Sequence, residues 1–182
     1  VPATIFKRVV LPMPLRPRTT RARPGSAVTD VGARLGKLLN GLDSPHPLAL
    51  GVSACQHDCP QSAAKDVGVI GLASGYALHI GGDTAIARIV CKVKDDDEVL
   101  EYGGAFIQLY REEGFYLERT CHYLERVGLE HVKKAVLEDA EQRKALYERL
   151  LFALQNYKDP WAEIVEDQAG GIHKRQFEII KV

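Results

Sequence analysis

The chain has 182 residues, 46% of them hydrophobic and 26% charged, with a formal net charge of zero. That balance suits one domain, or one large half of a bigger assembly, with a core of useful size, and it argues against wholesale disorder. A neutral chain gives no general reason to expect nucleic acid or a membrane surface as partner, and no apolar run approaches the roughly 18 residues that span a bilayer.

The N-terminus lacks a secretory pattern, and its first residue, Val1, fits a fragment or a processed product. Residues 1–24 hold six basic residues, no acid and five of the nine prolines. Proline at that density blocks helix interiors and central strands, so the reading is a basic, Pro-rich extended arm, with a short edge strand at Ile5–Leu11. Its charge suits phosphate or carboxylate groups, and a solvated arm is the simpler account. From Ser26 to Leu42, Val28, Val31, Leu35, Leu38 and Leu39 recur at helical spacing, with Gly41 placed to end the helix.

Ser44–Pro47 is a turn, and Leu48–Ser53 reads as a short buried strand leading into SACQHDCPQSAAKDVGVIG. Val67–Leu72 and Tyr76–Ile80 read as paired strands around Ser74–Gly75, closed by Gly81 and Gly82, whose backbone can approach another group closely. Ile86–Val93 reads as a strand or the start of a helix. The acids Asp95–Glu98 favour a helix N-terminus, and one long amphipathic helix is predicted from about Asp97 to Val127. Its inner side carries Val99, Phe106, Leu109, Tyr110, Leu117, Cys121, Leu124 and Val127, and Gly103–Gly104 marks close packing. Further helices are predicted at Leu129–Val136 and Glu141–Asn156, ended by Asp159–Trp161, with a loose tail after Gly170–Gly171. The class is α+β: a mixed sheet followed by C-terminal helices.

Four cysteines, Cys55, Cys59, Cys91 and Cys121, do not make a disulfide scaffold in a chain of this length, so the cytoplasm is the expected compartment. Cys91 and Cys121 are isolated in apolar surroundings and read as buried small hydrophobes. Cys55 and Cys59 are separated by three residues. A disulfide between them would constrain little, and a zinc site with His57 lacks the second Cys or His pair that structural zinc sites use. Iron–sulfur ligation fits the thiol spacing better.

VSACQHDCPQSAAKDVGVIG resembles the second cluster motif of the siroheme-dependent nitrite and sulfite reductases: a strand, C-x3-C, a short polar helix and a D-[IV]-G strand. YALHIGG resembles the family's hairpin, and the stretch from Cys91 to Lys134 resembles the helical region of the large subunit of assimilatory NAD(P)H nitrite reductases. Asp159–Trp161 and the helix and turn upstream of the cysteines are similar as well, so the resemblance runs from about Gly25 to Glu163. It implies a nitrite/sulfite reductase domain over 25–165, flanked by the basic arm over 1–24 and a tail over 166–182. It implies a 4Fe-4S cluster with Cys55 and Cys59 as ligands, Cys59 bridging to siroheme, and Ser53, Lys65, Gly81 and Gly82 lining the cofactor. The reaction implied is multi-electron reduction of nitrite (or sulfite), nitrite going to ammonia. The implied partners are the remaining reductase segments, or a subunit with the electron-donor module.

The sequence departs from that pattern in two places. The family's first cysteine pair, C-x5-C, should fall near Arg18–Pro24, where the chain reads RTTRARP, and no cysteine precedes Cys55. The loop GGDTAIARIV is shorter than in the family. Arg16, Arg18, Arg21, Arg23 and Lys65 are the local candidates for anion contact, with a solvated role as the simpler account of each. His57 reads as a solvent-facing loop residue, and His79 faces either the pocket or the core, depending on register. Three accounts of the missing pair stay open: a fragment completed by other segments, a homologue that kept the scaffold and lost the cluster, or an arm foreign to the natural protein. The alternative function is a cofactor-free, catalytically inactive interaction module; a small zinc or thiol-redox protein using Cys55, His57 and Cys59 is the third reading.

Overall fold

A computed structural model describes residues 25–82, 88–155 and 157. The arm with its expected strand and the anion-contact candidates Arg16, Arg18, Arg21 and Arg23, the loop 83–87, Asp159–Trp161 and the tail lie outside the described residues.

Four strands form one mixed sheet in the order β1–β2–β3–β4: β1 (Leu50–Ser53), β2 (Val67–Leu72), β3 (Gly75–Ile80) and β4 (Ile89–Val93). The first two are parallel, Leu50 opposite Val67; the other neighbours are antiparallel, Val69 opposite Leu78 and Leu78 opposite Cys91. Strand alternation then gives the sheet two unlike faces. Val52, Val67, Val69, Tyr76, Leu78, Ile80, Ile89 and Val93 point one way, and all are buried in the core. Gly51, Ser53, Gly68, Ala77, His79, Val90 and Lys92 point the other way.

Helix α1 (Gly25–Leu38) and helix α2 (Asp96–Glu113) cover the apolar face. Asp95 caps α2 by accepting from the Glu98 N–H at 2.9 Å, and Glu98 in turn accepts from the Lys94 N–H at 2.6 Å, a reciprocal cap. Residues Gly103 to Tyr110 of α2 are all buried, because the helix is sandwiched between the sheet and helix α5 (Ala140–Leu154). A Cβ at Gly104 would stand 2.7 Å from the Tyr147 ring, so the predicted close packing at the glycine pair is real and its partner is α5. Arg143 of α5 pairs with Glu101 at 2.7 Å and stacks over Tyr102, which locks the two helices.

The long helix expected from Asp97 to Val127 is two helices. Helix α2 stops at Glu113, Gly114 is extended, and α3 runs over Thr120–Val127. The link is tied down from several sides. The Leu117 N–H donates to the Pro45 carbonyl at 2.9 Å, with Leu117 in the left-handed region (φ +64°). Glu118 accepts from the Phe115 N–H and from Arg126. Leu117, expected inside, is therefore 60% exposed. Helix α4 (Leu129–Lys133) continues as a π-helical turn over Lys134–Glu138, slightly longer than expected, and α1 ends at Leu38, before Gly41.

Candidate functional site

The parallel pairing of β1 and β2 forces a crossover, and the crossover carries Cys55 and Cys59 over the second face of the sheet. Its path is fixed by hydrogen bonds within the segment. Beyond β1, the Ser53 hydroxyl donates to the Cys55 carbonyl at 2.9 Å, and the Asp58 N–H donates to the same carbonyl at 3.2 Å. Asp58 takes a left-handed conformation (φ +43°), which Asp tolerates better than most residues. Its carboxylate accepts from the Ser62 N–H at 2.7 Å and the Ala63 N–H at 2.9 Å, capping a 3-10 turn over Ser62–Ala64.

That turn lies almost flat on the strands. A Cβ at Gly68 would stand 1.9 Å from the Ser62 carbonyl oxygen, and one at Gly51 would stand 2.8 Å from the Ser62 Cα. Only glycine lets the cysteine segment come this close. The hairpin end closes on the same segment: Gly82 N–H donates to the Lys65 carbonyl at 3.0 Å, and Gly81 N–H to the Asp66 carbonyl at 2.9 Å. The group that the backbone of Gly82 approaches is thus the backbone of Ala64 and Lys65. Asp66 is only 3% exposed; its carboxylate accepts from the Ala49 N–H at 2.7 Å and from the Thr120 hydroxyl, pinning the start of β2 to β1 and to α3.

The structure therefore brings Ser53, Cys55, Cys59, Lys65, Gly81 and Gly82 to one side of the sheet. Cys59 is exposed, Cys55 half-buried, and both are free thiols. His57 is exposed on the turn, as expected. His79 resolves to the cysteine face, opposite Gly68 in register. Its Nδ1 is buried without a hydrogen-bond partner among the described residues, and so is the Oγ of the fully buried Ser62. Burial holds the His79 imidazole below its usual pKa, with the Asp58 carboxylate pulling weakly the other way. Sequence reasoning passed over Asp58, Ser62, Gly51 and Gly68. The one signal available was an Asp just ahead of a Ser-Ala-Ala turn.

Cys91 and Cys121 do not join this group. Cys91 stands opposite Leu78 on the helix-covered face, and burial pushes its thiol up to about 11, so it is a protonated core thiol. Cys121 is 6% exposed on α3. Among the described residues no group of three or more His, Cys, Asp or Glu side chains could hold a metal ion, and residues outside them include no cysteine. A four-iron cluster takes four thiolates. The thiols of this chain do not fit a whole cluster; Cys55 and Cys59 make half of one.

Residues 24–144 match the family model described as the nitrite and sulphite reductase 4Fe-4S domain. The chain is 44% identical over 142 residues to a nitrite reductase [NAD(P)H] of Bacillus subtilis, covering 76% of this chain and 18% of that protein. It is 30% identical over 154 residues to a nitrite reductase [NAD(P)H] of Neurospora crassa, covering 81% and 13%. An assimilatory-type sulfite reductase of Nitratidesulfovibrio vulgaris is 27% identical over 129 residues, covering 64% and 59%. The chain thus spans less than a fifth of the length of the nitrite reductases it matches.

Proposed function

Because the chain belongs to the nitrite and sulphite reductase 4Fe-4S domain family, we propose that it forms part of a siroheme nitrite (or sulfite) reductase. The activity proposed is multi-electron reduction of nitrite to ammonia by siroheme coupled to a 4Fe-4S cluster, with the rest of the reductase and its electron-donor module as partners. The observation that carries this reading is the Cys55–Cys59 turn, held on the sheet with Cys59 exposed and Cys55 half-buried, in a chain 44% identical to a nitrite reductase. In this reading Cys55 and Cys59 are iron ligands, Ser53 and Asp58 fix the turn that presents them, and Lys65 offers a cation on the same face for an anion. The reductase domain occupies 25–165. Free thiols suit a reducing cytoplasm, and among the described residues no helix is long and apolar enough to cross a membrane.

The half set of thiolates favours a second reading, a cofactor-free interaction module that keeps the reductase scaffold. The two part in one experiment: the chain is purified with its co-expressed partner segments under anaerobic conditions, and tetrapyrrole absorption, iron and nitrite turnover are measured. The reductase reading expects all three, with iron lost in Cys59→Ser. A colourless complex whose partner binding is indifferent to Cys55→Ser and Cys59→Ser establishes the second reading instead.

A further inference from the structure

The link between α2 and α3 exposes large apolar side chains in a row: Phe115 is 62% exposed, Tyr116 80% and Leu117 60%. Single apolar residues on a surface are ordinary, but consecutive ones form a patch. The backbone beneath them is held in place. The Phe115 N–H donates to the Glu118 carboxylate at 2.9 Å, the Glu118 N–H donates back to the Phe115 carbonyl at 2.9 Å, and the Arg126 guanidinium lies 4.0 Å over the Phe115 ring. Leu117 stands at φ +64°, where a bulky side chain is disfavoured and glycine would be at ease. Among the described residues that strain returns little burial, since Leu117 is mostly exposed. Strain kept by the surroundings marks a place where the side chain itself has a use.

We propose that Phe115, Tyr116 and Leu117 form the docking surface for a later segment of the same chain, Trp161–Val165. The described chain leaves the helical half at the same end of the molecule. Tyr157 is seated over Gly41, where a Cβ would stand 2.0 Å from its ring. From Gly41 the backbone runs past Asp43, whose carbonyl accepts from Arg111 at 2.6 Å, to Pro45, whose carbonyl accepts from the Leu117 N–H at 2.9 Å. The steps from Gly41 to Pro45 cover at most about 14 Å. An equal length of chain joins Tyr157 to Trp161, and twice that length, reaching about 29 Å when extended, joins it to Val165. Trp161, Ile164 and Val165 supply apolar groups at helical spacing.

The size of the patch also selects a tethered occupant. A separate protein needs roughly 20–30 residues a side to bind stably, far more than this link offers. A segment on a short tether is present at an effective concentration of roughly millimolar, so a small apolar contact holds it. The charged neighbours are answered within the domain, Glu118 by Arg126 and Glu113 by His131, so what the patch offers is apolar contact.

Trp161 is the only tryptophan in the chain, so its fluorescence reads the docking directly. The full chain should show emission to the blue of free tryptophan, weak quenching by acrylamide, and no dependence on protein concentration. Leu117→Gly suits the left-handed backbone and removes the side chain. It should move the emission to the red and raise quenching, more so with Tyr116→Ser added, while far-UV circular dichroism is unchanged. Val90→Ser, which removes an exposed apolar residue on β4, should behave as the parent does. Solvent-like emission from the folded parent, or emission that ignores both link substitutions, would overturn the docking. So would a blue shift that appears only as concentration rises, which assigns the surface to a second copy instead.

Discussion

The two faces of the sheet obey opposite rules. The face under α1 and α2 is filled by large apolar side chains with essentially no exposure, such as Val67, Val69, Tyr76, Leu78 and Ile80. The cysteine face gives up side chains at Gly51 and Gly68 so that a polar turn can lie against bare backbone, and it leaves the Nδ1 of His79 and the Oγ of Ser62 buried without partners among the described residues. The first arrangement is what stability asks for. The second spends stability to hold two thiols at a fixed place, and buried polar groups without partners carry a desolvation cost that a purely structural face would avoid.

The comparison can be tested by substitution. Leu78→Ala opens a cavity in the apolar layer and should cost about 3 kcal/mol, read as a lower urea midpoint with an unchanged slope. Gly68→Ala should cost about 2 kcal/mol, because its methyl group would overlap the Ser62 carbonyl and lift the turn. It should also change the alkylation rate of Cys59, which Leu78→Ala leaves alone while the protein is folded. Equal thiol behaviour in both variants would remove the distinction between the faces. Asp58→Ala removes the cap and should cost about 1 kcal/mol, again with altered thiol reactivity.

The smallest effect concerns pH. Burial lowers the pKa of His79 below its ordinary 6.5, so the unfolded chain binds the proton more readily than the folded one. The contribution of neutral His79 to stability is then full above about pH 6.5 and declines as the pH falls below it toward the folded pKa. His79→Gln should flatten stability across that window; an unchanged slope would mean that the imidazole is not desolvated as described.

Much of the fold was legible in the sequence, for reasons that also explain the failures. The strand at Val67–Leu72 was read with its observed bounds, and Tyr76–Ile80 missed a single residue, because short apolar runs between glycines leave few alternatives. The break after Glu113 was not legible, since the apolar periodicity runs through it. Glycine in a helical pattern is tolerated often enough that Gly114 gave no stop. The link that follows the break is tied to a residue distant in sequence, the Pro45 carbonyl accepting from the Leu117 N–H. The site divides in the same way. Thiol spacing pointed to Cys55 and Cys59, and register alone decided the side of His79. The seating of the turn on Gly51 and Gly68 is a contact between the crossover and the strands that flank it, which no local pattern announces.

In the proposed function, the Cys55–Cys59 turn presents iron ligands. Iron content of the chain purified anaerobically with its co-expressed partner segments, alongside Cys55→Ser and Cys59→Ser under the same conditions, tests it most directly. The expected result is iron in the parent complex and its loss in both variants, with the fold intact by circular dichroism. Iron retained in the variants, or none in the folded parent complex, would contradict it.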